Sequence, residues 1–289
     1  MSSAPLGRKI ALPGGKASLE EAKIALLGIP LDTTSSYRPG SRFAPEEIRK
    51  VFEVLEDYSL DQRRSFFQGS FWDMGDVELP RGSVERELET AWSITFPLVQ
   101  EGKKPLILGG EHTVTAAAVQ PLLRSYPDLV VLQLDAHADL RPSYMEECWS
   151  HASIIYRLLE MGVKEVYQLG VRSATQEEME QMEEASSRTC WYPHKVKDPL
   201  QELLPRLQEK PVYVTVDIDV VDPAFAPGTG TPEPGGITSA ELLESLELMR
   251  GLELVGLDLV EVNPSHDRED LTSLLGAKIL REAVMLLDA

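Results

Sequence analysis

A parallel sheet covered by helices on both faces is the architecture this sequence predicts, and three features predict it. Short apolar runs recur along the chain, such as Lys23–Pro30, Pro105–Leu108, Leu129–Leu134 and Val212–Val216. They are near-continuous, as in strands buried on both faces. Segments of helical periodicity separate them, and that alternation builds parallel sheets. Acidic and imidazole side chains also collect just after several runs, at the strand ends where ligands bind in open α/β sheets. The chain has 289 residues, 43% of them apolar, with no linker, repeat or low-complexity segment. Residues 1–289 therefore read as one domain, with 1–20 a small polar arm.

In chain order, Lys23–Pro30 is the first buried strand. The polar loop Asp32–Phe43 follows at its carboxyl end, where it is placed to line a pocket. Pro45 opens a helix, Glu46 and Glu47 favour its positive end, and Ile48, Val51, Phe52 and Leu55 form its apolar stripe. Residues 65–79 read as short extended pieces, and 83–101 as a helix that Pro97 should kink or shorten. Pro105–Leu108 is a strand, Gly109 and Gly110 a hinge, and a helix starts near Thr113. Beyond Leu134 a loop runs to Trp149, then a helix from Ser150 to Met161 with His151 at its start. Lys164–Gly170 is a strand, Glu177–Ala185 a helix, Arg188–Tyr192 a short strand and 198–209 a helix. Val212–Val220 is the strongest strand, rich in β-branched residues. The Pro- and Gly-rich loop Asp222–Gly236 forms a stiff wall. Thr238 and Glu241 form a capping box for the helix 239–250. Glu253–Val260 is the last strand and Leu271–Leu287 a terminal helix.

Composition narrows the function. A formal charge of −19 argues against a nucleic-acid partner, whose backbone would be repelled, and suits a cationic small molecule. Cys148 and Cys190 form no spaced pair, so neither a disulfide framework nor a thiolate zinc site is expected. No apolar run spans a bilayer and Met1–Lys9 has no apolar signal core, so the expectation is a cytoplasmic protein without a membrane partner.

The chemistry centres on Asp135-Ala136-His137-Ala138-Asp139. If the chain stays extended there, the three ligand-type side chains point the same way. Such a set suits a divalent ion from manganese to zinc. His112, Asp217, Asp219 and Glu261 lie just after three other strands, so four strand ends carry acids or imidazoles. Six candidate ligands (His112, Asp135, His137, Asp139, Asp217, Asp219) exceed one tetrahedral shell, and two ions fit the count. Four Asp carboxylates would balance two dications, and a bridging hydroxide would leave a net negative charge suited to a cationic electrophile.

Gly109-Gly110-Glu111-His112, Asp135–Asp139, Ser150-His151-Ala152-Ser153, Val216–Pro223 and Glu261-Val262-Asn263-Pro264 together resemble the motifs of the ureohydrolase family of arginases and agmatinases, with the agmatinase branch the better match. The resemblance covers the chain from about residue 24 onward. It implies a three-layer α/β/α domain, two manganese ions per subunit, hydrolysis of a guanidino group to urea, and a homo-trimer or homo-hexamer. Asp135 and Asp217 would bridge the ions, His112 and Asp139 completing one shell and His137 and Asp219 the other. Glu261 corresponds to the acid that grips the guanidinium, and His151 to the loop histidine that moves protons or positions substrate. The metal-bridging hydroxide would attack the guanidinium carbon. Asp139 or His151 would then pass a proton to the leaving amine.

Arginases hold an amino-acid head with a Ser/Thr/Asn-rich loop that 140–149 lacks, and their Asp-containing motif reads Ser173-Ala174-Thr175 here. Glu146 and Glu147, with Tyr144 and Trp149, favour an amine tail, hence agmatine, with aminopropylagmatine as the alternative. Tyr37, Arg38 and Phe43 are placed to wall the pocket, and Arg38 keeps guanidinobutyrate open. Glu111 stands where many relatives have Asp and is expected behind the ligands, while His194 and His266 match no motif. A single-zinc deacetylase would need fewer ligands, a phosphatase more basic groups, and a polyamine-binding protein without turnover needs an assay to exclude.

Overall fold

The computed structural model describes Leu12, Gly15 and residues 18–184 and 189–289. Most of the expected arm over 1–20, with Ala185 and Arg188, lies outside the described residues. The strands are β1 (Ile24–Ile29), β2 (Tyr58–Ser59), β3 (Arg64–Ser65), β4 (Phe71–Asp76), β5 (Lys104–Gly109), β6 (Val130–Leu134), β7 (Glu165–Leu169), β8 (Thr189–Tyr192), β9 (Pro211–Asp217) and β10 (Glu253–Val260). The helices are α1 (Ala44–Phe52), α2 (Val84–Gln100), α3 (Thr115–Ser125), α4 (Ile154–Met161), α5 (Gln176–Glu184), α6 (Lys197–Leu207), α7 (Ser239–Leu248) and α8 (Leu271–Leu287). Eight strands form one sheet in the order β4-β1-β5-β10-β9-β6-β7-β8, and β2 and β3 make a separate small hairpin. All pairings in the large sheet are parallel.

The expected three layers are present because each strand is apolar on both faces. In β1, Ile24 and Leu26 pack into a core with α1, α6, α7 and α8. Ala25, Leu27 and Ile29 face the opposite core, with α2, α3 and α4. Successive side chains alternate across a strand, so one apolar run feeds both cores. Each fully buried Leu or Ile contributes about 1.5–3 kcal/mol.

Local chemistry sets the helix ends. Thr238 and Glu241 form the expected capping box on α7. Gly162 (φ 108°) ends α4 in the left-handed region, where a Cβ would be strained. Pro97 lies in the last turn of α2, which continues to Gln100. There it removes one N–H from the helical ladder, the one that would reach the Ser93 carbonyl, and the last turn continues without it.

The strand order decides where function sits. The four central neighbours are β5, β10, β9 and β6, so the segments following them converge at one edge of the sheet. At Gly110, any Cβ would lie 1.9 Å from the Leu31 carbonyl oxygen. Only glycine lets the chain leave β5 this close to the end of β1 and turn toward His112.

Candidate metal centre and substrate cavity

The segments after β5, β6 and β9 bring all six candidate ligands together. His112 Nδ1 lies 3.0 Å from Asp135 Oδ2, 3.0 Å from Asp139 Oδ2 and 3.4 Å from Asp217 Oδ2. His137 Nδ1 lies 2.9 Å from Asp219 Oδ2 and 3.7 Å from Asp135 Oδ1. Two groups of ligand atoms result, His112–Asp135–Asp139 and Asp135–His137–Asp219. Asp135 belongs to both and turns one oxygen to each histidine. Each of those oxygens already accepts one N–H, Oδ2 from Gln133 Nε2 at 2.6 Å and Oδ1 from His137 N at 2.6 Å. A lone pair remains on each for a cation.

The convergence does not arise from an extended chain, as the alternate spacing had implied. β6 stops at Leu134, and Asp139 has φ 53°. Asp135 takes the backbone N–H of His137, and Asp217 that of Asp219 at 2.9 Å. A carboxylate that binds the N–H two residues ahead bends the chain into a turn. After β9 the chain forms a 3₁₀ turn over Ile218–Val220 instead of continuing the strand. The side chains thus meet through paired turns at neighbouring strand ends.

Glu261, at φ 62°, follows β10, and its Oε1 accepts the backbone N–H of His112 at 2.9 Å. His151 sits at a short turn before α4, its Nδ1 3.2 Å from Thr34 Oγ1 and its Nε2 3.4 Å from Ser36 Oγ. The Glu111 side chain turns away from the six-residue cluster to Thr34 and Thr113. It takes the Thr34 N–H and hydroxyl, each at 2.7 Å, and so anchors the loop that carries the His151 partners.

Electrostatics separates the acids. Burial, then the charge of Asp135, pushes Asp139 up to about 7. Burial, then the neighbouring Glu111, pushes Glu261 up to about 8. Burial, with Asp219 and Asp135 nearby, also raises Asp217. Asp135 is equally buried, yet His112 and His137 hold it well below the usual carboxylate range. Burial, reinforced by the charges of His137 and His112, lowers His151 to about 4, so its imidazole is neutral at pH 7. The acids outnumber the local cations and hold protons in their place. Among the described residues, His112 Nδ1 and Asp219 Oδ2 are buried without a hydrogen-bond partner. Orphaned donor atoms facing a carboxylate cluster fit divalent cations.

A cavity of about 240 Å³ opens onto the cluster, and its lining includes His137, Asp139, Glu261 and His151. Arg141, Tyr144 and Glu178 complete its far part. Glu178 was not legible as a site residue. It lies on the acidic helix α5, three residues after Thr175 in a capping box, a spacing that marks a helix start and not a substrate site. The fold buries it, and its Oε1 accepts the Leu140 N–H at 3.1 Å. Arg141 lies 3.7 Å from Glu178 and stacks 4.6 Å from the Tyr144 ring. Glu146 and Glu147 are exposed and do not line this cavity, so they supply no amine recognition in it. Trp149 packs edge-on against Trp92 at 5.7 Å. Tyr37 and Arg38 line an adjoining recess beside Glu261, whereas Phe43 lines a separate one beyond the Asp32 loop. His194 and His266 are exposed.

The parallel sheet and the acid-rich centre at its carboxyl edge define a hydrolase of the arginase fold. The chain belongs to the arginase family, whose model matches residues 22–286. It is 44% identical to the agmatinase of Bacillus anthracis over 93% of each chain. It is 38% identical to the N(1)-aminopropylagmatine ureohydrolase of Thermococcus kodakarensis over 90% of this chain and 89% of the other. The crystal structure of the agmatine ureohydrolase of Thermoplasma volcanium superposes with a TM-score of 0.86 at 33% identity, covering 97% of this chain and 95% of that one. The chain is an enzyme of the ureohydrolase type. Among the described residues, no helix is long and apolar enough to cross a membrane.

Proposed function

We propose that the enzyme hydrolyses agmatine to urea and putrescine with two manganese ions per subunit, as a cytoplasmic homo-trimer or homo-hexamer. The observation that carries this reading is the pair of ligand groups sharing Asp135, with Glu261 beside them in the same cavity. Asp135 and Asp217 are read as the shared ligands, His112 and Asp139 as the rest of one shell, and His137 and Asp219 as the rest of the other. When bound, the two cations ionise a water at neutral pH, and that water is the nucleophile. Glu261 orients the planar guanidinium by charge-assisted hydrogen bonds, so that its carbon faces the cluster. Its backbone anchor on His112 holds that carboxylate in place. As the carbon–nitrogen bond breaks, the leaving amine takes a proton. Asp139, which lines the same cavity, would take the proton released by the attacking water and pass it to the leaving amine. His151, neutral at pH 7, lies at the cavity wall and relays protons through the hydroxyls of Thr34 and Ser36.

For the tail, Glu178 offers an ammonium a carboxylate and Tyr144 offers a ring face. Arg141 in the same lining favours a second reading, a carboxylate tail as in guanidinobutyrate. Its contact with Glu178 offsets that pull and leaves agmatine preferred. Aminopropylagmatine shares the amine terminus and is the next alternative. Urea release by manganese-loaded enzyme on agmatine, aminopropylagmatine, arginine and guanidinobutyrate tests this. Agmatine should lead. A lead for guanidinobutyrate would assign tail recognition to Arg141, and silence on all four with two ions bound would end the substrate reading.

A further inference from the structure

Behind His112, on the side away from the cavity, lies a buried polar row that the proposed reaction does not use. His112 Nε2 is 2.8 Å from Thr215 Oγ1, and Thr215 Oγ1 is 3.3 Å from Thr115 Oγ1. Asp258 pairs across the sheet with Thr215. Its Oδ2 accepts the Tyr213 hydroxyl at 2.7 Å, and among the described residues its Oδ1 has no hydrogen-bond partner. Burial pushes the Asp258 carboxyl above its ordinary range, and the charge of His112 and the Thr215, Tyr213 and Thr115 hydroxyls act against that rise. Asp258, Thr215, Tyr213 and Thr115 are all 0% exposed. A carboxylate sealed between two strands, with one oxygen free, has no role in packing that an apolar side chain would not fill better.

Donor direction along the row is determined by its two ends. A histidine that ligates through Nδ1 must carry its proton on Nε2, and that N–H then donates to Thr215 Oγ1. Thr215 then turns its own hydrogen onward, and the acceptor beside it across the sheet is Asp258, whose Oδ1 is otherwise unpartnered among the described residues. We propose that Asp258 is a positioning residue for the metal centre: acting through Thr215, it orients the His112 ring and keeps Nδ1 free to bind a cation. This rests on the two-ion reading above.

Asp258→Asn tests it. With the Tyr213 hydroxyl on the amide oxygen, the NH₂ faces Thr215 and reverses the row, favouring the ring form whose Nδ1 carries hydrogen. Thr215→Val interrupts the row without changing volume, and Thr215→Ser keeps it. The readouts are manganese binding by electron paramagnetic resonance titration and thermal unfolding of the metal-free protein. Loss of an outer partner typically costs about 10–100-fold in metal affinity. Asp258→Asn and Thr215→Val should each weaken one of the two sites by that amount. Thr215→Ser should stay within about threefold of wild type, and the double variant should be no worse than the weaker single. Unchanged affinity in both Asp258→Asn and Thr215→Val, with only thermal stability altered, would overturn the proposal. Should Asp258→Asn fail to fold, Thr215→Val alone decides. Fewer than two ions on the wild-type protein would instead refute the two-ion reading, and the relay with it.

Discussion

Two buried polar clusters sit on the same sheet and balance their charge in opposite ways. At one edge Arg49, 1% exposed, donates to Asp73 through Nε and Nη2 at 2.8 and 2.9 Å, and to Asp76 through Nη1 at 2.5 Å. The Leu12 and Gly75 N–H groups also point at Asp73. At the centre, among the described residues, the basic side chains paired with Asp135, Asp139, Asp217 and Asp219 are His112 and His137, and ligand atoms there stay unpaired. The first cluster is complete as folded and belongs to the structure. The second is complete only with cations from outside, so its side chains serve function at some expense to the stability of the metal-free chain.

The sharpest way to break this contrast is Asp217→Asn. Urea release should fall by more than about 100-fold if Asp217 is the shared ligand proposed above. Metal-free thermal stability should hold or rise, because one buried acid is neutralised. Arg49→Met should do the reverse. It strands the buried Asp73 and the half-buried Asp76, and urea unfolding should show a loss of about 3–5 kcal/mol, with KM of the folded fraction unchanged.

The pH dependence of chelator-treated protein sharpens the comparison. Glu261, Asp139 and Glu111 have folded pKa values of about 8, 7 and 7, above their ordinary values of 4.5, 3.8 and 4.5. Groups raised on folding stabilise fully below the ordinary carboxylate range and lose that contribution as pH climbs through the folded values. Stability by urea unfolding should therefore fall between about pH 5 and 8, by at most about 1.4 kcal/mol per pH unit for each proton released. Asp135 acts in the opposite sense only below that range, and His151, lowered to about 4, opposes the fall by one proton up to about pH 6.5. Manganese should flatten the slope by replacing the protons, and a slope unaltered by metal would place the titration elsewhere.

Smaller effects are expected away from both clusters. Glu178→Gln should raise KM for agmatine roughly tenfold with kcat retained, as expected for one lost charged contact. Replacing exposed Glu146 and Glu147 by Gln should move KM by less than about twofold, since exposed charges are screened. A larger change would return those acids to the cavity.

Read alone, the sequence determined the sheet and its two helical layers, because near-continuous apolar runs must be covered on both faces. It also singled out the six ligand-type residues and Glu261 as candidates, since chemistry-bearing residues after strands share one edge of a parallel sheet, while the family motifs added His151. The family motifs determined the reaction class. The tertiary structure alone decided how those residues meet, because the turns at Asp135 and Asp217 depend on side-chain-to-backbone hydrogen bonds that no spacing encodes. It also exchanged Glu146 and Glu147 for Glu178 and Arg141 as the cavity's charged groups. Whether an acid on a polar helix or loop faces solvent or substrate depends on what packs over it, and that is a property of the fold, not of local sequence.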